Sequence, residues 1–226
     1  MNTGSHGAGA DRVDTLDIPT TRAWIDAVAR AVTAHRDELT ELDAAIGDAD
    51  HGANLQRGFA AVETAIGGLG YAPETVGQLL GKVGMTLISK VGGASGPLYG
   101  SAFRALGRQL TTPEADGHQL TLALQAGLDA VRALGGATTG DKTMVDALAP
   151  AVAAFGEAIT AGGDLGAAAH AAVDAAEAGA RATTPLQARK GRASYLGERS
   201  IGHQDPGATS TALIFAALAE VLQPHG

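Results

Sequence analysis

The chain is dominated by segments with helical spacing of apolar residues, separated by glycine-rich turns. In the first segment, Trp24, Val28 and Val32 fall on one face of a helix. Nowhere do β-branched residues alternate over a useful length, so the sequence predicts no strand. Because short turns join successive helices, the pattern favours an all-α, single-domain, up-and-down antiparallel arrangement.

About eight helices are predicted, and several have recognisable ends. Asp116 and Asp164 are expected to cap helices, and Pro150 is expected to kink one. Residues 1–19 are predicted to form a flexible tail and 20–226 a single helical domain, with an irregular stretch over 183–205. The helices are expected at about 20–37, 51–66, 73–87, 97–110, 116–131, 142–159, an alanine-rich stretch after Asp164, and 206–222.

Composition narrows the possible functions. Glycine accounts for 32 of 226 residues and aromatic residues for only 4%, so the predicted core consists of small side chains that let helices approach closely. The net charge of −8 argues against non-specific binding of nucleic acid. Without cysteine, neither disulfides nor thiol chemistry contribute. The best candidate for a membrane span, residues 211–222, is too short and contains Glu220, and no secretory signal is recognised, so a cytoplasmic location is expected.

The candidate functional site is a stretch that holds three aspartates in eight residues. Asp43 and Asp48 would lie about 140° apart on an ideal helix, and Asp48 and Asp50 about 160°. The three carboxylates can therefore converge only if the backbone curls, which Gly47 and Gly52 permit. One like-charged pair at ~4 Å costs roughly 4 kcal/mol at an effective dielectric constant of about 20, so protonation or a bound cation must relieve the repulsion. An all-oxygen ligand set suits Mg²⁺.

The same stretch also fits a purely structural role. The aspartates could simply cap a helix and solvate a turn. An EF-hand is excluded because the sixth position counted from Asp48 is Ala53 instead of glycine, and the twelfth is Phe59 instead of glutamate.

Three further turns are expected at the same end of the molecule, because each joins an odd-numbered predicted helix to an even-numbered one. They are 92–97, 140–144 and 205–207. The 92–96 turn could bind an anion with its backbone N–H groups or could merely end one helix and start the next. Residues 135–143 resemble a P-loop superficially, but Asp141 precedes Lys142 and no strand comes before them, so a P-loop is rejected.

Some polar residues leave two interpretations open. Arg189, Lys190 and Arg192 could solvate a loop or contact phosphate oxygens, which arginine binds in bidentate fashion. His51 and His203 are more commonly surface or capping residues than ligands.

Four motifs together resemble one family. The stretches 42–52, 92–100, 140–146 and 191–208 are similar to those of the L subunit of dihydroxyacetone kinases, in the same order. The resemblance spans about residues 20–222. It implies an eight-helix barrel with an adenine nucleotide, ADP or ATP, at one end. Position 49 is Ala where many relatives have Gly, a departure expected to leave the aspartates undisturbed.

The resemblance also implies the site residues. Two Mg²⁺ ions would bridge Asp43, Asp48 and Asp50 to the phosphates. With three carboxylates and a diphosphate near −6 in total, two ions leave about −2, whereas one leaves about −4. Arg192 is the cation expected to act on the transferred phosphoryl group. The residues expected to line the nucleotide are His51, Gly52, Ala53, Asn54, Ala94, Ser95, Gly135, Thr143, Met144, Arg192, Asp205, Pro206 and Gly207.

The resemblance implies that the hydroxyketone is held by a separate K subunit or domain, so the chain is expected to be half of an enzyme. The resemblance leaves two phosphoryl donors open. One is ATP, used as a substrate, and the other is a protein of the phosphotransferase system that rephosphorylates bound ADP. Two other functions compete with this interpretation: a stand-alone two-metal phosphohydrolase, which also uses clustered aspartates, and a non-catalytic helical binding module.

Overall fold

The computed structural model describes residues 12–223. Over this range the chain forms nine α-helices, a 3₁₀ helix and two short strands. In chain order these are β1 (Thr15–Asp17), α1 (Ile18–Ala34), α2 (Arg36–Ile46), α3 (His51–Gly67), α4 (Val76–Lys90), α5 (Ser95–Gln109), β2 (Glu114–Asp116), α6 (Gly117–Gly135), α7 (Val145–Thr160), α8 (Leu165–Ala182), the 3₁₀ helix (Arg192–Ser200) and α9 (Pro206–Val221).

Eight of the helices close into a ring. Helix α1 packs against α3, each helix from α3 to α8 packs against the next, and α9 returns to α1. The predicted eight-helix barrel is therefore confirmed. Helix α2 is additional, and it packs against α3, α9 and the 3₁₀ helix. The sequence analysis did not predict α2 as a separate helix. Neither a glycine nor a proline marks the break at His35, where α1 ends and α2 begins, so nothing in the sequence indicates a second helix.

Capping residues set most of the helix starts. Asp116 forms a reciprocal capping box with Gln119, and the Asp164 side chain accepts from the backbone N–H of Ala167, so both predicted caps are confirmed. Helix α7 continues through Pro150. Predicted starts differ from the observed ones by two or three residues at α1, α4, α5 and α7, a scatter typical of helix ends.

The two strands form a small antiparallel ladder in which Leu16 pairs with Ala115. The sequence analysis predicted no strand, and three residues are too few to show an alternating pattern. Leu16 is fully buried, so the fold begins inside the segment predicted as a tail of residues 1–19. Residues 1–11 of that tail lie outside the described residues.

Small side chains do fill much of the interior, as the composition predicts. Ala168, Ala172 and Ala176 on α8 have no exposed surface. Between α4 and α5, a Cβ on Gly84 would lie 2.5 Å from the carbonyl oxygen of Gly100, so only glycine allows these helices to pack this closely. Across residues 12–223, none of the helices combines the length and apolarity needed to span a bilayer.

Candidate functional site

A cavity of about 280 Å³ opens at one end of the helical ring. Four helices have their first residue in its wall: His51 of α3, Ser95 of α5, Val145 of α7 and Pro206 of α9. The first N–H groups of each helix have no partner within the helix, and the helix dipole places partial positive charge there. Four such ends around one cavity favour a ligand with several negative charges.

The three aspartates converge at the rim of this cavity. Asp43 lies in the last turn of α2, and Asp48 and Asp50 lie in the turn that leads to α3. One carboxylate oxygen from each of the three lies within 4.8 Å of the others. Asp43 Oδ2 accepts hydrogen bonds from the backbone N–H groups of Asp50, at 2.8 Å, and His51, at 3.1 Å. The predicted backbone curl therefore wraps the turn around Asp43.

Two residues of the turn show how this curl is achieved. A Cβ on Gly47 would collide with the carboxylate of Asp43, so only glycine leaves room for that side chain. Ala49, between the other two aspartates, has a φ of 60°. This left-handed conformation costs an L-residue with a Cβ about 1 kcal/mol or more, and glycine adopts it freely. The turn thus keeps its shape despite the alanine.

The cluster fits a hard divalent cation. Three carboxylate oxygens within 4.8 Å of one another form an all-oxygen ligand set of the kind Mg²⁺ prefers. Asp48 Oδ2 also lies 3.0 Å from Arg192 Nη2, with both side chains partly exposed. Arg192 begins the 3₁₀ helix and lies in the cavity wall, so the structure places a cation beside the carboxylates.

A buried network of hydrogen bonds holds His51 in the cavity wall. His51 Nδ1 lies 3.1 Å from Ser95 Oγ, and Nε2 lies 2.9 Å from Ser210 Oγ. Ser210 Oγ is 2.7 Å from the hydroxyl of Tyr99. Burial lowers the pKa of His51, with Asp43 acting in the opposite direction, and burial raises the pKa of Tyr99 to about 12. The network is therefore neutral at pH 7 and fixes Ser95 near the carboxylates, which excludes the surface interpretation of His51.

Asp205 forms the opposite wall at the start of α9. Its side chain caps that helix by accepting from the N–H of Ala208 at 2.7 Å. Its own N–H donates to Thr183 Oγ1 at 2.9 Å, which links the start of α9 to the end of α8. Burial is the main cause that raises the pKa of Asp205 to about 7.

The structure brings most of the predicted site residues together. Gly52, Ala53 and Asn54 are the three that do not line the cavity. Gly52 faces the carbonyl oxygen of Arg36 on α2, and Asn54 Oδ1 accepts from Arg57 Nη2 at 2.6 Å. The predicted residues in the wall are Asp43, Asp48, Asp50, His51, Ala94, Ser95, Gly135, Thr143, Met144, Arg192, Asp205, Pro206 and Gly207.

The sequence analysis missed several residues of the wall. Tyr99 and Lys142 lie within the quoted motifs, and Lys190 lies in the basic stretch, so each had a signal. Val131 and Ala137 line the cavity from the end of α6 and the turn after it, and small apolar residues there carry no such signal. His203 is exposed, in agreement with the surface interpretation.

Comparison with known proteins identifies the family. A model described as the DAK2 domain matches residues 45–220, most of the chain. The chain belongs to the DAK2 family. Among similar DAK2 proteins, the ADP-binding subunit DhaL of the PEP-dependent dihydroxyacetone kinase of Escherichia coli K12 is 43% identical over 197 residues, which cover 87% of this chain and 93% of that protein. The ADP-binding subunit DhaL of the PTS-dependent dihydroxyacetone kinase of Lactococcus lactis is 42% identical, over 92% of this chain and 99% of that protein.

Solved structures show the same fold. The dihydroxyacetone kinase of C. freundii is 27% identical and aligns over 97% of this chain with a TM-score of 0.69. Its complex with AMP-PNP and Mg²⁺ is 26% identical with a TM-score of 0.67. The present chain spans 37% of the length of that kinase.

Proposed function

We propose that this chain is the nucleotide-binding, phosphoryl-carrying subunit of a dihydroxyacetone-type kinase. One observation carries the proposal: three carboxylate oxygens lie within 4.8 Å of one another at the rim of a cavity, and four helices start in the wall of that cavity. Proteins commonly bind nucleotide phosphates through Mg²⁺ held by carboxylate oxygens and through the N-termini of helices. The DhaL relatives, which this chain matches over nearly their whole length, are named ADP-binding subunits.

Asp43, Asp48 and Asp50 are proposed to hold two Mg²⁺ ions against the phosphates. When bound, Mg²⁺ neutralises phosphate charge and withdraws electron density from the transferred phosphoryl group. The number of two rests on charge: three carboxylates and a diphosphate total about −6, and two ions bring the site to about −2. The C. freundii kinase, which shares this fold, was solved in complex with AMP-PNP and Mg²⁺, and this supports Mg²⁺ as the metal.

The rest of the wall is proposed to hold the nucleotide. Ser95, the first residue of α5, lines the cavity, as do the first residues of α7 and α9. The partial positive charge at these helix starts is proposed to help hold the phosphates. Arg192 is proposed to stabilise charge on the transferred phosphoryl group, because its guanidinium already lies at the carboxylate rim.

The acceptor is proposed to reach the cavity on a separate K subunit. The predicted site residues in the wall are assigned to metal and nucleotide, and none of them is assigned to a carbonyl substrate. The donor is proposed to be a protein of the phosphotransferase system, since relatives of 41–43% identity are named PEP-dependent or PTS-dependent kinases. Transfer between such partners requires transient docking at the mouth of the cavity.

The proposal is tested by reconstitution. The purified chain with Mg²⁺ and dihydroxyacetone is mixed with either ATP or the phosphotransferase components and phosphoenolpyruvate, with and without a K subunit. Formation of dihydroxyacetone phosphate is then followed. We expect product only when the K subunit is present, and faster product with the phosphotransferase components.

The competing functions give other results. Release of inorganic phosphate from simple phosphate esters without any partner indicates the two-metal phosphohydrolase. Absence of Mg²⁺-dependent nucleotide binding indicates the non-catalytic module. Robust dihydroxyacetone phosphate formation by the chain alone, with either donor, contradicts the need for a K subunit.

A further inference from the structure

Lys142 is a buried lysine whose role is not explained by metal or nucleotide binding. It is only 1% exposed. Its ammonium donates to the carbonyl oxygens of Thr183 at 2.8 Å and Thr184 at 3.5 Å, and to that of His203. A lysine ammonium has three N–H donors, so all three are directed at backbone carbonyls. The amine is thus engaged by backbone carbonyls, and Lys142 is also one of the residues that line the cavity.

The three carbonyls lie at the two ends of one irregular segment. Thr183 and Thr184 follow α8, and His203 comes just before Asp205 and α9. A single ammonium therefore closes the segment 184–203 at its base, next to a backbone hydrogen bond from Gly202 to Thr184 at 2.8 Å. The closed segment carries Arg192.

Lys142 itself sits in a tightly bonded turn before α7. Asp146 accepts from the N–H groups of Gly140, at 2.5 Å, and Thr143, at 2.8 Å. The carbonyl oxygen of Asp141 accepts from the N–H of Arg189 at 3.0 Å, a second link between this turn and the segment 184–203. Lys142 has a φ of 61°, which lets its side chain leave the turn toward the segment. The turn thus connects the segment to α7 in the helical ring.

We propose that Lys142 is a positioning residue for phosphoryl transfer. It holds the segment that carries Arg192, and the adjoining Asp205 corner, at a fixed place relative to α7, and it makes no contact with the nucleotide. The inference rests on the proposed function for its kinetic consequence only. The contact with the three carbonyls and its effect on local mobility do not depend on what reaction is catalysed.

The principal test replaces Lys142 by methionine, which has a similar shape and no donors. In Lys142→Met we expect hydrogen exchange over 184–203 to rise at least about tenfold, because several bonds to a charged donor are lost. Exchange in α3, α4 and α5 should stay unchanged. Affinity for Mn²⁺, used as a probe of the aspartates, should change less than about twofold, because these side chains belong to α2 and the following turn.

The kinetic expectation is a loss in kcat of about 100-fold with a much smaller change in nucleotide affinity, since misplacement of a catalytic group by about 1 Å has an effect of that size. Lys142→Arg, which keeps a cation and donors, should recover part of the loss. Lys82→Met on α4 is the matched control and should resemble the unmodified protein. A uniform rise in exchange across all helices, or a kcat within about threefold of the unmodified value, overturns the proposal.

A second measurement needs no variant that must fold. In ¹⁵N spectra of the unmodified protein, the ammonium of Lys142, assigned through its contacts with Thr183 and His203, should exchange slowly with water. Addition of Mg²⁺ and ADP should leave its signal in place. Rapid exchange, or a large shift on nucleotide addition, contradicts the proposal. Both readouts hold without turnover, so failure of the kinase assay alone concerns the proposed function and not the role of Lys142.

Discussion

Arg192 Nη2 lies 3.0 Å from Asp48 Oδ2, so the cation proposed for the phosphates contacts a carboxylate proposed for the metal. The two side chains are 69% and 36% exposed, and ion pairs this accessible contribute about 0–1 kcal/mol. Such a weak contact is readily exchanged. The pair is therefore compatible with a metal on Asp48 and with movement of Arg192 to the phosphates when nucleotide binds.

Replacement of Arg192 by lysine should impair phosphoryl transfer more than binding. Lysine keeps the charge but loses the planar pair of donors that engages two phosphate oxygens. We expect kcat in the reconstituted assay to fall on the order of 100-fold, with nucleotide affinity changed by less than about threefold. Arg199→Lys, an exposed arginine in the same 3₁₀ helix, is the control. Equal turnover by the Arg192→Lys and unmodified proteins would remove Arg192 from the mechanism.

Replacement of Asp48 by asparagine should weaken nucleotide binding only when Mg²⁺ is present. The change removes one charge from a cluster whose oxygens lie within 4.8 Å of one another. We expect affinity for ADP in Mg²⁺ to fall more than about tenfold, or ~1.4 kcal/mol, by titration calorimetry. Helix content by circular dichroism should stay the same. Asp174→Asn, on an exposed face of α8, should bind as the unmodified protein does, and an unchanged affinity for Asp48→Asn would contradict the metal assignment.

Replacement of Ala49 by glycine should stabilise the fold. Ala49 has a φ of 60°, a conformation that glycine adopts without a steric penalty. We expect the free energy of unfolding, measured with urea, to rise by about 1 kcal/mol, partly offset by the greater freedom of glycine in the unfolded chain. Ala60→Gly, in the exposed middle of α3, should instead lower it by ~1 kcal/mol. If Ala49→Gly is as destabilising as Ala60→Gly, the left-handed conformation of Ala49 is contradicted.

The stability of the protein should depend on pH through Asp205. Burial raises its folded pKa from 3.8 to about 7, so between these values the folded state binds the proton more tightly than the unfolded state does. The contribution of Asp205 to the free energy of unfolding therefore decreases as the pH rises from about 4 to about 7. His51 acts oppositely, because burial lowers its pKa and keeps the folded form neutral.

The Asp205 contribution is isolated by comparison with Asp205→Asn, which can still cap α9. We expect the free energy of unfolding of the variant to increase relative to that of the unmodified protein as the pH rises from about 4 to about 7. A constant difference between the two proteins from pH 4 to pH 8 would show that Asp205 does not titrate abnormally.

Much of the fold could be read from the sequence because the signals are local. Helical spacing of apolar residues and aspartates at helix starts, such as Asp116 and Asp164, act over a few residues, so each helix of the ring was recognisable. The closeness of the three aspartates in the chain, with Gly47 between them, likewise predicted that they could converge. Short turns between successive helices then indicated which turns share one end of the ring.

Other features were decided only by tertiary structure, because they join residues far apart in the chain. His51 is buried between Ser95 and Ser210 in the cavity wall, whereas its residue type alone favoured a surface or capping position and only the family resemblance placed it at the nucleotide. Lys142 lies in a stretch for which the sequence analysis rejected a P-loop, and the sequence predicted no other role for it; its donors are taken by carbonyls some forty to sixty residues further along. No periodicity or cap encodes such pairings. They follow from the requirement that every buried donor and acceptor finds a partner once the helices have packed.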